Sequence, residues 1–250
     1  MNNNHLADDS GAPVIEAVHL TRTVRSEGGL RTIVDDFSCA FARGQLTTIV
    51  GPSGAGKSSL LRLFNRLDEP TSGQVRFNGR DSSQYDPCQL RRRVSYLLQT
   101  PYMFPGTVGD NILFADSSLS ESDVRRLADQ AQIPRTLIDQ DSSTLSVGEK
   151  QRVALARLLA TDPEVILLDE PTAALDPSHT ESVEQLITKL MSMSERTVVM
   201  VTHNPRQALR MGGRTVLMVG GRLAEAGPCE QVVSSPLTES GRLFKEKRLK

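Results

Sequence analysis

Gly51-Pro52-Ser53-Gly54-Ala55-Gly56-Lys57-Ser58-Ser59 is the stretch that decides how the rest of the chain is read. It fits G-x-x-x-x-G-K-[ST], the phosphate-binding loop. Before it, Leu46-Thr47-Thr48-Ile49-Val50 is a β-branched apolar run, the mark of a buried strand. After it, residues 58–67 carry apolar side chains at helical spacing. Strand, glycine loop, helix is the order the motif requires. Gly51, Gly54 and Gly56 let the backbone curl, so that N–H groups around Ser53 face phosphate oxygens. The helix beginning near Lys57 adds the positive end of its dipole. Lys57 is expected to reach the β- and γ-phosphates, Ser58 to offer its hydroxyl to Mg²⁺, and Ser59 to touch the α-phosphate.

Working outward, 250 residues suit one large domain or two modest lobes. A net charge of −1 gives no bulk electrostatic reason to bind nucleic acid, and no nucleic-acid partner is expected. Cys39, Cys88 and Cys229 are scattered, without metal-ligand spacing, and an odd count argues against a disulfide framework. A reducing, cytosolic setting follows as the default. Residues 1–13 read as a short disordered tail, with neither the basic start nor the apolar run of a signal peptide. Runs such as Val198–Val201 are too short to span a bilayer, so a membrane role calls for a partner.

Upstream of the loop, residues 14–24 and 32–42 read as two strands joined by a turn over 25–31, an antiparallel β region. Downstream, residues 74–79 read as a strand ending at Asn78-Gly79, residues 90–93 as a short basic helix, and residues 94–98 as a strand delivering Gln99. Ser120 with Asp123 marks a helix start, after which Val124, Leu127, Ala128 and Ala131 keep helical spacing until Pro134. A second helix is expected over 146–160, making about 100–160 a helical insert between two α/β parts. Residues 165–168 and 197–201 read as buried strands, 177–193 as a helix, and 214–219 with 222–226 as a hairpin across Gly220-Gly221. Residues 236–250 form a C-terminal tail with short helical pieces and a basic end.

Val165-Ile166-Leu167-Leu168-Asp169-Glu170 is an apolar strand ending in two acids. Acidic caps on a surface turn are the plainer reading of that pair. A phosphate loop upstream favours the chemical one: Asp169 holds the Mg²⁺ hydration shell, and Glu170 orients or deprotonates the attacking water.

Leu145-Ser146-Val147-Gly148-Glu149-Lys150-Gln151-Arg152 resembles the signature sequence of ATP-binding-cassette (ABC) ATPases, commonly L-S-G-G-Q. The order of the other parts is similar to that family as well. Gln99 resembles its Q-loop glutamine, Ala174-Leu175-Asp176 its D-loop, and Thr202-His203 its switch histidine. The resemblance runs from about residue 14 to 235. It implies an α/β P-loop NTPase cassette: a mostly parallel sheet flanked by helices, an antiparallel β subdomain and a small helical subdomain. It implies ATP hydrolysis with Mg²⁺, Gln99 sensing the metal and His203 contacting the γ-phosphate while positioning Glu170. It also implies a homodimer, in which Ser146 and Gly148 of one subunit meet the γ-phosphate held by the other and Asp176 links the two sites.

Two departures stand out. Val147 replaces the first signature glycine and Glu149 the glutamine, while Gly148, where close backbone approach is needed, is kept. Family members often stack adenine on an aromatic ring about 25 residues before the loop; here Val24 takes that position, and modest selectivity for adenine over guanine is expected.

One cassette without a membrane span resembles the stand-alone nucleotide-binding subunit of a transporter, peripheral on the cytoplasmic face of the membrane. In the family a groove near Gln99 receives a helix of an integral membrane permease. Tyr102 and Phe104 lie in that stretch, with burial in the core as their plainer role. Length, the Pro105–Ile112 wording and the compact insert resemble iron-exporter-type ATPases, and phosphate-importer ATPases are also similar. Two rivals remain. One is a soluble ABC protein of DNA repair or translation, although no heptad run or second cassette occurs. The other is a small-molecule kinase, against which the signature and His203 argue.

Overall fold

The computed structural model describes residues 12–26, 29–173, 175–192 and 195–249. The expected tail therefore lies outside the described residues as far as 11, as does Ala174 of the D-loop. Pro13, counted with the tail, opens the first strand instead.

β1 (Pro13–Ser26) and β2 (Gly29–Ala42) form a long antiparallel hairpin. The turn expected over 25–31 is shorter, because Arg25 pairs with Leu30 and Ser26 with Gly29. Backbone pairing continues there beyond the apolar alternation that marks a strand in sequence. β4 (Ser72–Phe77) pairs with the other edge of β1 and turns into β5 (Arg80–Asp81). The turn is Asn78-Gly79, at φ 50° and 74°, the left-handed pair a tight hairpin needs.

The second sheet contains β3 (Leu46–Val50), β6 (Val94–Leu97), β7 (Val165–Asp169), β8 (Thr197–Thr202), β9 (Arg214–Val219) and β10 (Arg222–Pro228). Its order is β10-β9-β3-β8-β7-β6, all parallel except β10 against β9. Every residue of β3, β7 and β8 is buried, as expected of strands covered on both faces.

α1 (Lys57–Phe64) lies between the two sheets. Leu60, Leu61, Leu63 and Phe64 are wholly buried, and they pack with Phe37, Phe41 and Phe77 of the first sheet and with Ile49, Leu167 and Val199 of the second. The Phe41 and Phe64 rings meet edge to face at 5.0 Å. Each such side chain contributes roughly 1.5–3 kcal/mol by leaving water, so the helix that follows the glycine loop is held on both sides. The alternate residues Ile166, Leu168, Val198 and Met200 face the other core, beneath the helical part.

α2 (Pro87–Arg93) begins earlier than its apolar spacing shows, because Asp86 caps it through the Gln89 N–H at 2.9 Å. α3 (Val108–Leu113), α4 (Glu121–Gln130) and α5 (Val147–Leu159) follow, and Ser120 and Asp123 form the capping box that opens α4. α6 (Pro177–Ser192) and α7 (Pro205–Met211) flank β8, and α8 (Cys229–Ser234) and α9 (Glu239–Lys245) close the chain. No helix among the described residues is long and apolar enough to cross a membrane.

Candidate functional site

Four parallel strands end on the same edge of the sheet, and the chain leaves each of them through a residue singled out above. β3 runs into the glycine loop, β6 leads to Gln99, β7 to Glu170 and β8 to His203. The carboxyl edge of a parallel sheet is where such folds bind ligands. Here it forms an open cleft of about 620 Å³, lined by Ser53, Gly54, Gly56, Lys57, Ser58 and Ser59 together with Gln99, Glu170 and His203.

The loop glycines answer to close approach. A Cβ on Gly51 would lie 2.1 Å from the Met218 carbonyl oxygen, and one on Gly56 would lie 2.4 Å from that of Ile33. Gly56 also sits at φ 97° as the N-cap of α1. Lys57 folds back over the loop, its Nζ donating to the Gly51 and Pro52 carbonyls at 2.9 Å each. Burial pushes this ammonium below the ordinary lysine range, against the pull of Glu170 and Asp169. It is a cation already out of water, with two carbonyl partners that phosphate oxygens can replace.

Ser58 Oγ donates to Asp169 Oδ1 at 2.8 Å, and the Tyr96 hydroxyl donates to Asp169 Oδ2 at 2.6 Å. Burial first, then the bond to Asp169 and its charge, push the Tyr96 phenol far above the ordinary tyrosine range, so it stays a donor. Adjacent hydroxyl and carboxylate oxygens are hard donors of the kind Mg²⁺ takes, and the pair fits that ion.

Glu170 sits at φ 45°, in the left-handed region that costs a non-glycine residue roughly 1–3 kcal/mol. Its backbone N–H donates to the Val201 carbonyl at 3.0 Å, which pins that turn. Its Oε2 accepts from Gln99 Nε2 at 3.3 Å and from His203 Nδ1 at 3.1 Å. A carboxylate only accepts, so Nδ1 carries the proton. The segment after His203 is anchored through α7. Gln207 Nε2 donates to Thr172 Oγ1 at 2.8 Å, and Arg210 pairs with buried Glu184 at 2.6 Å.

Ser146, Gly148 and Asp176 do not line this cleft. Ser146 caps α5 on the exposed surface, its Oγ donating to Glu149 Oε2 at 2.7 Å. Asp176 accepts from His179 Nδ1 at 2.7 Å, and a Cβ on Gly148 would lie 3.2 Å from the His179 ring. Signature and D-loop thus form a second group beside an exposed Val147.

Arg31 and Ile33 of β2 form the cleft wall near the expected adenine position, whereas Val24 pairs across the hairpin with Arg31 and is not a lining residue. Neither β2 residue stands out in the sequence, because an arginine and an isoleucine on an outer strand carry no motif. Near Gln99, a groove of about 360 Å³ is lined by Leu67, Tyr96, Leu98, Pro101, Tyr102 and Arg157 among others. Tyr102 is exposed and Phe104 half-buried. Phe104 stacks on exposed Phe114 at 3.6 Å, and buried Asn111 clamps both the N–H and the carbonyl of Phe104.

The ABC transporter family model matches residues 34–173. Protein STAR1 of Oryza sativa subsp. japonica is 42% identical over 88% of this chain, which spans 64% of that protein's length. Phosphate import ATP-binding protein PstB 2 of Mycobacterium tuberculosis is 39% identical over 91% of this chain and 86% of its own. The solved dimeric cassette MJ0796, in a post-hydrolysis state with ADP and Pi, superposes with a TM-score of 0.77 at 28% identity, covering 86% of this chain and 98% of that one. The chain belongs to the ABC transporter family. It is the family's ATP-binding cassette, and its activity is the hydrolysis of ATP.

Proposed function

We propose that two copies of this chain close over two ATP molecules and drive a cargo through a separate integral membrane permease. The observation that carries the pairing is the division of the site. The cleft holds the phosphate loop with Gln99, Glu170 and His203, while exposed Ser146 and buried Gly148 stand elsewhere, at the start of α5. A second copy would bring its signature to the first copy's γ-phosphate, with Asp176 between the sites. The dimeric state of MJ0796 supports that arrangement.

Within each cleft, the loop N–H groups and Lys57 would hold the phosphates. Ser58, Asp169 and Gln99 would hold Mg²⁺, which supplies charge neutralisation at the β- and γ-oxygens when bound. With Oε2 of Glu170 occupied by Gln99 and His203, its Oε1 would take the proton of the attacking water. The water oxygen bonds to the γ-phosphorus as the bond to the bridging oxygen breaks, giving ADP and phosphate.

In this reading the permease would dock in the groove beside Tyr102, and the cassette would lie on the cytoplasmic face of the membrane. The sequence resemblance points to metal export, and the 39% identity to a phosphate-import ATPase favours import of phosphate. Tagged Glu170→Gln protein with ATP, used to capture partners from detergent-solubilised native membranes, tests this reading. A polytopic membrane protein supports it, and an accompanying binding protein selects import. Recovery of only ribosomal or DNA-associated proteins would move the cassette to the soluble class.

A further inference from the structure

The carboxylate on the metal side of the cleft is held from two directions. One oxygen of Asp169 takes the Ser58 hydroxyl at 2.8 Å and the other takes the Tyr96 hydroxyl at 2.6 Å. Tyr96 reaches it from the neighbouring strand, where it pairs with Leu167, two residues before Asp169. Tyr96 is also one of the residues lining the groove that holds Leu98, Tyr102 and Arg157. One residue therefore borders the groove and bonds the carboxylate that also holds Ser58 of the phosphate loop.

We propose that Tyr96 is a positioning residue for Asp169, fixing the carboxylate in the orientation that receives Mg²⁺·ATP. The physical reason lies in what each donor does. A carboxylate with one partner can rotate and present either oxygen. With both oxygens held, its plane is set before the ligand arrives, and no ordering is needed at binding. A phenol does this without adding positive charge, so the full negative charge of Asp169 remains for the cation. A lysine or arginine at position 96 would orient the carboxylate but cancel it. Ser58 cannot serve alone, because its oxygen must also face the metal.

The inference rests on Ser58 and Asp169 being the Mg²⁺ side of the site, and its test separates the two. Binding of trinitrophenyl-ATP is measured in EDTA and at rising Mg²⁺ for wild type, Tyr96→Phe and Ser58→Ala. Tyr96→Phe keeps the ring and loses the hydroxyl. Its affinity in EDTA should match wild type, while the Mg²⁺ concentration for half-maximal tightening rises about tenfold, the scale seen when outer partners of metal ligands are removed. A half-point within twofold of wild type, while Ser58→Ala shifts, would overturn the role of Tyr96. Wild-type binding indifferent to Mg²⁺, with Ser58→Ala equally silent, would remove the Mg²⁺ reading and this inference with it.

A second measurement needs no change at position 96. The chain has three tyrosines and no tryptophan. Tyr85→Phe with Tyr102→Phe leaves Tyr96 as the sole fluorophore, quenched through its carboxylate bond. Its emission should change when Mg²⁺ joins ATP and stay constant when ATP is added in EDTA. An emission unaffected by Mg²⁺ would contradict the proposal.

Discussion

Glu149 ties down Ser146: its Oε2 accepts from the Ser146 hydroxyl at 2.7 Å and from the Ser146 backbone N–H at 2.8 Å, while the Ser146 Oγ accepts from the Glu149 N–H. The residue that departs from the family's usual glutamine is thus one half of a capping box. Bonds from the Ser146 hydroxyl and N–H hold the Glu149 carboxyl below the ordinary glutamate range, so it is an anion at neutral pH. In the proposed dimer that anion would lie close to the partner's γ-phosphate. Glu149→Gln should weaken the cap by about 1 kcal/mol, the difference between a charged and a neutral acceptor. In a Glu170→Gln background it should tighten the ATP-dependent dimer several-fold at low salt, as read by analytical ultracentrifugation.

Ser146→Ala removes the cap itself. A loss of about 1 kcal/mol in urea unfolding is expected, together with a larger loss of ATP turnover than of ATP binding, because in the proposed dimer the serine would serve the other subunit's nucleotide. Equal loss of both would place Ser146 in its own cleft.

Lys57 pairs only with carbonyls in the described structure and is held below its ordinary pKa by burial. Lys57→Met should therefore change the stability of the nucleotide-free protein by less than about 1 kcal/mol, as the lost bonds are offset by removal of a desolvated charge. Nucleotide affinity should fall at least tenfold, with loss of charge-assisted contacts to phosphate. Paired thermal melts with and without Mg²⁺·ATP check both halves.

How much of this was legible beforehand depends on how local each signal is. Lys57, Ser58, Asp169 and Glu170 were readable because fixed spacing ties residue type to chemistry within a few positions. The strand ends that gather Gln99, Glu170 and His203 follow once the apolar runs are read as parallel strands. α3 and α7 were missed because six or seven residues carry too little periodicity. Their signals were the Thr107–Asp110 capping box and Asn204 followed by Pro205 at the first helical position. Tyr96 looked like one more strand residue, since its partner Asp169 lies 73 positions away. Arg31, Ile33 and the Phe104–Phe114 stack are likewise products of distant packing.

Glu225 gives the pH prediction. Burial would raise its pKa, but bonds from the Leu237 N–H, the Thr238 hydroxyl and N–H, and Gln231 outweigh burial and hold it below the ordinary glutamate range. A depressed folded pKa means the stabilisation is complete above the unfolded value of about 4.3 and is lost as pH falls through the folded one. Stability should decline below about pH 5. Glu225→Gln should cost about 1.5–3 kcal/mol at pH 7 and flatten that acid limb in denaturant titrations.

The central claim, a cassette whose site is completed by a second copy, is tested most directly by light scattering on Glu170→Gln protein with and without Mg²⁺·ATP. The account predicts a shift from the 27.4 kDa chain mass to twice that value with ATP, and reversal when Ser146→Ala is added. A Glu170→Gln protein that binds ATP, as seen by filter binding, yet stays at the mass of one chain across micromolar concentrations would contradict it.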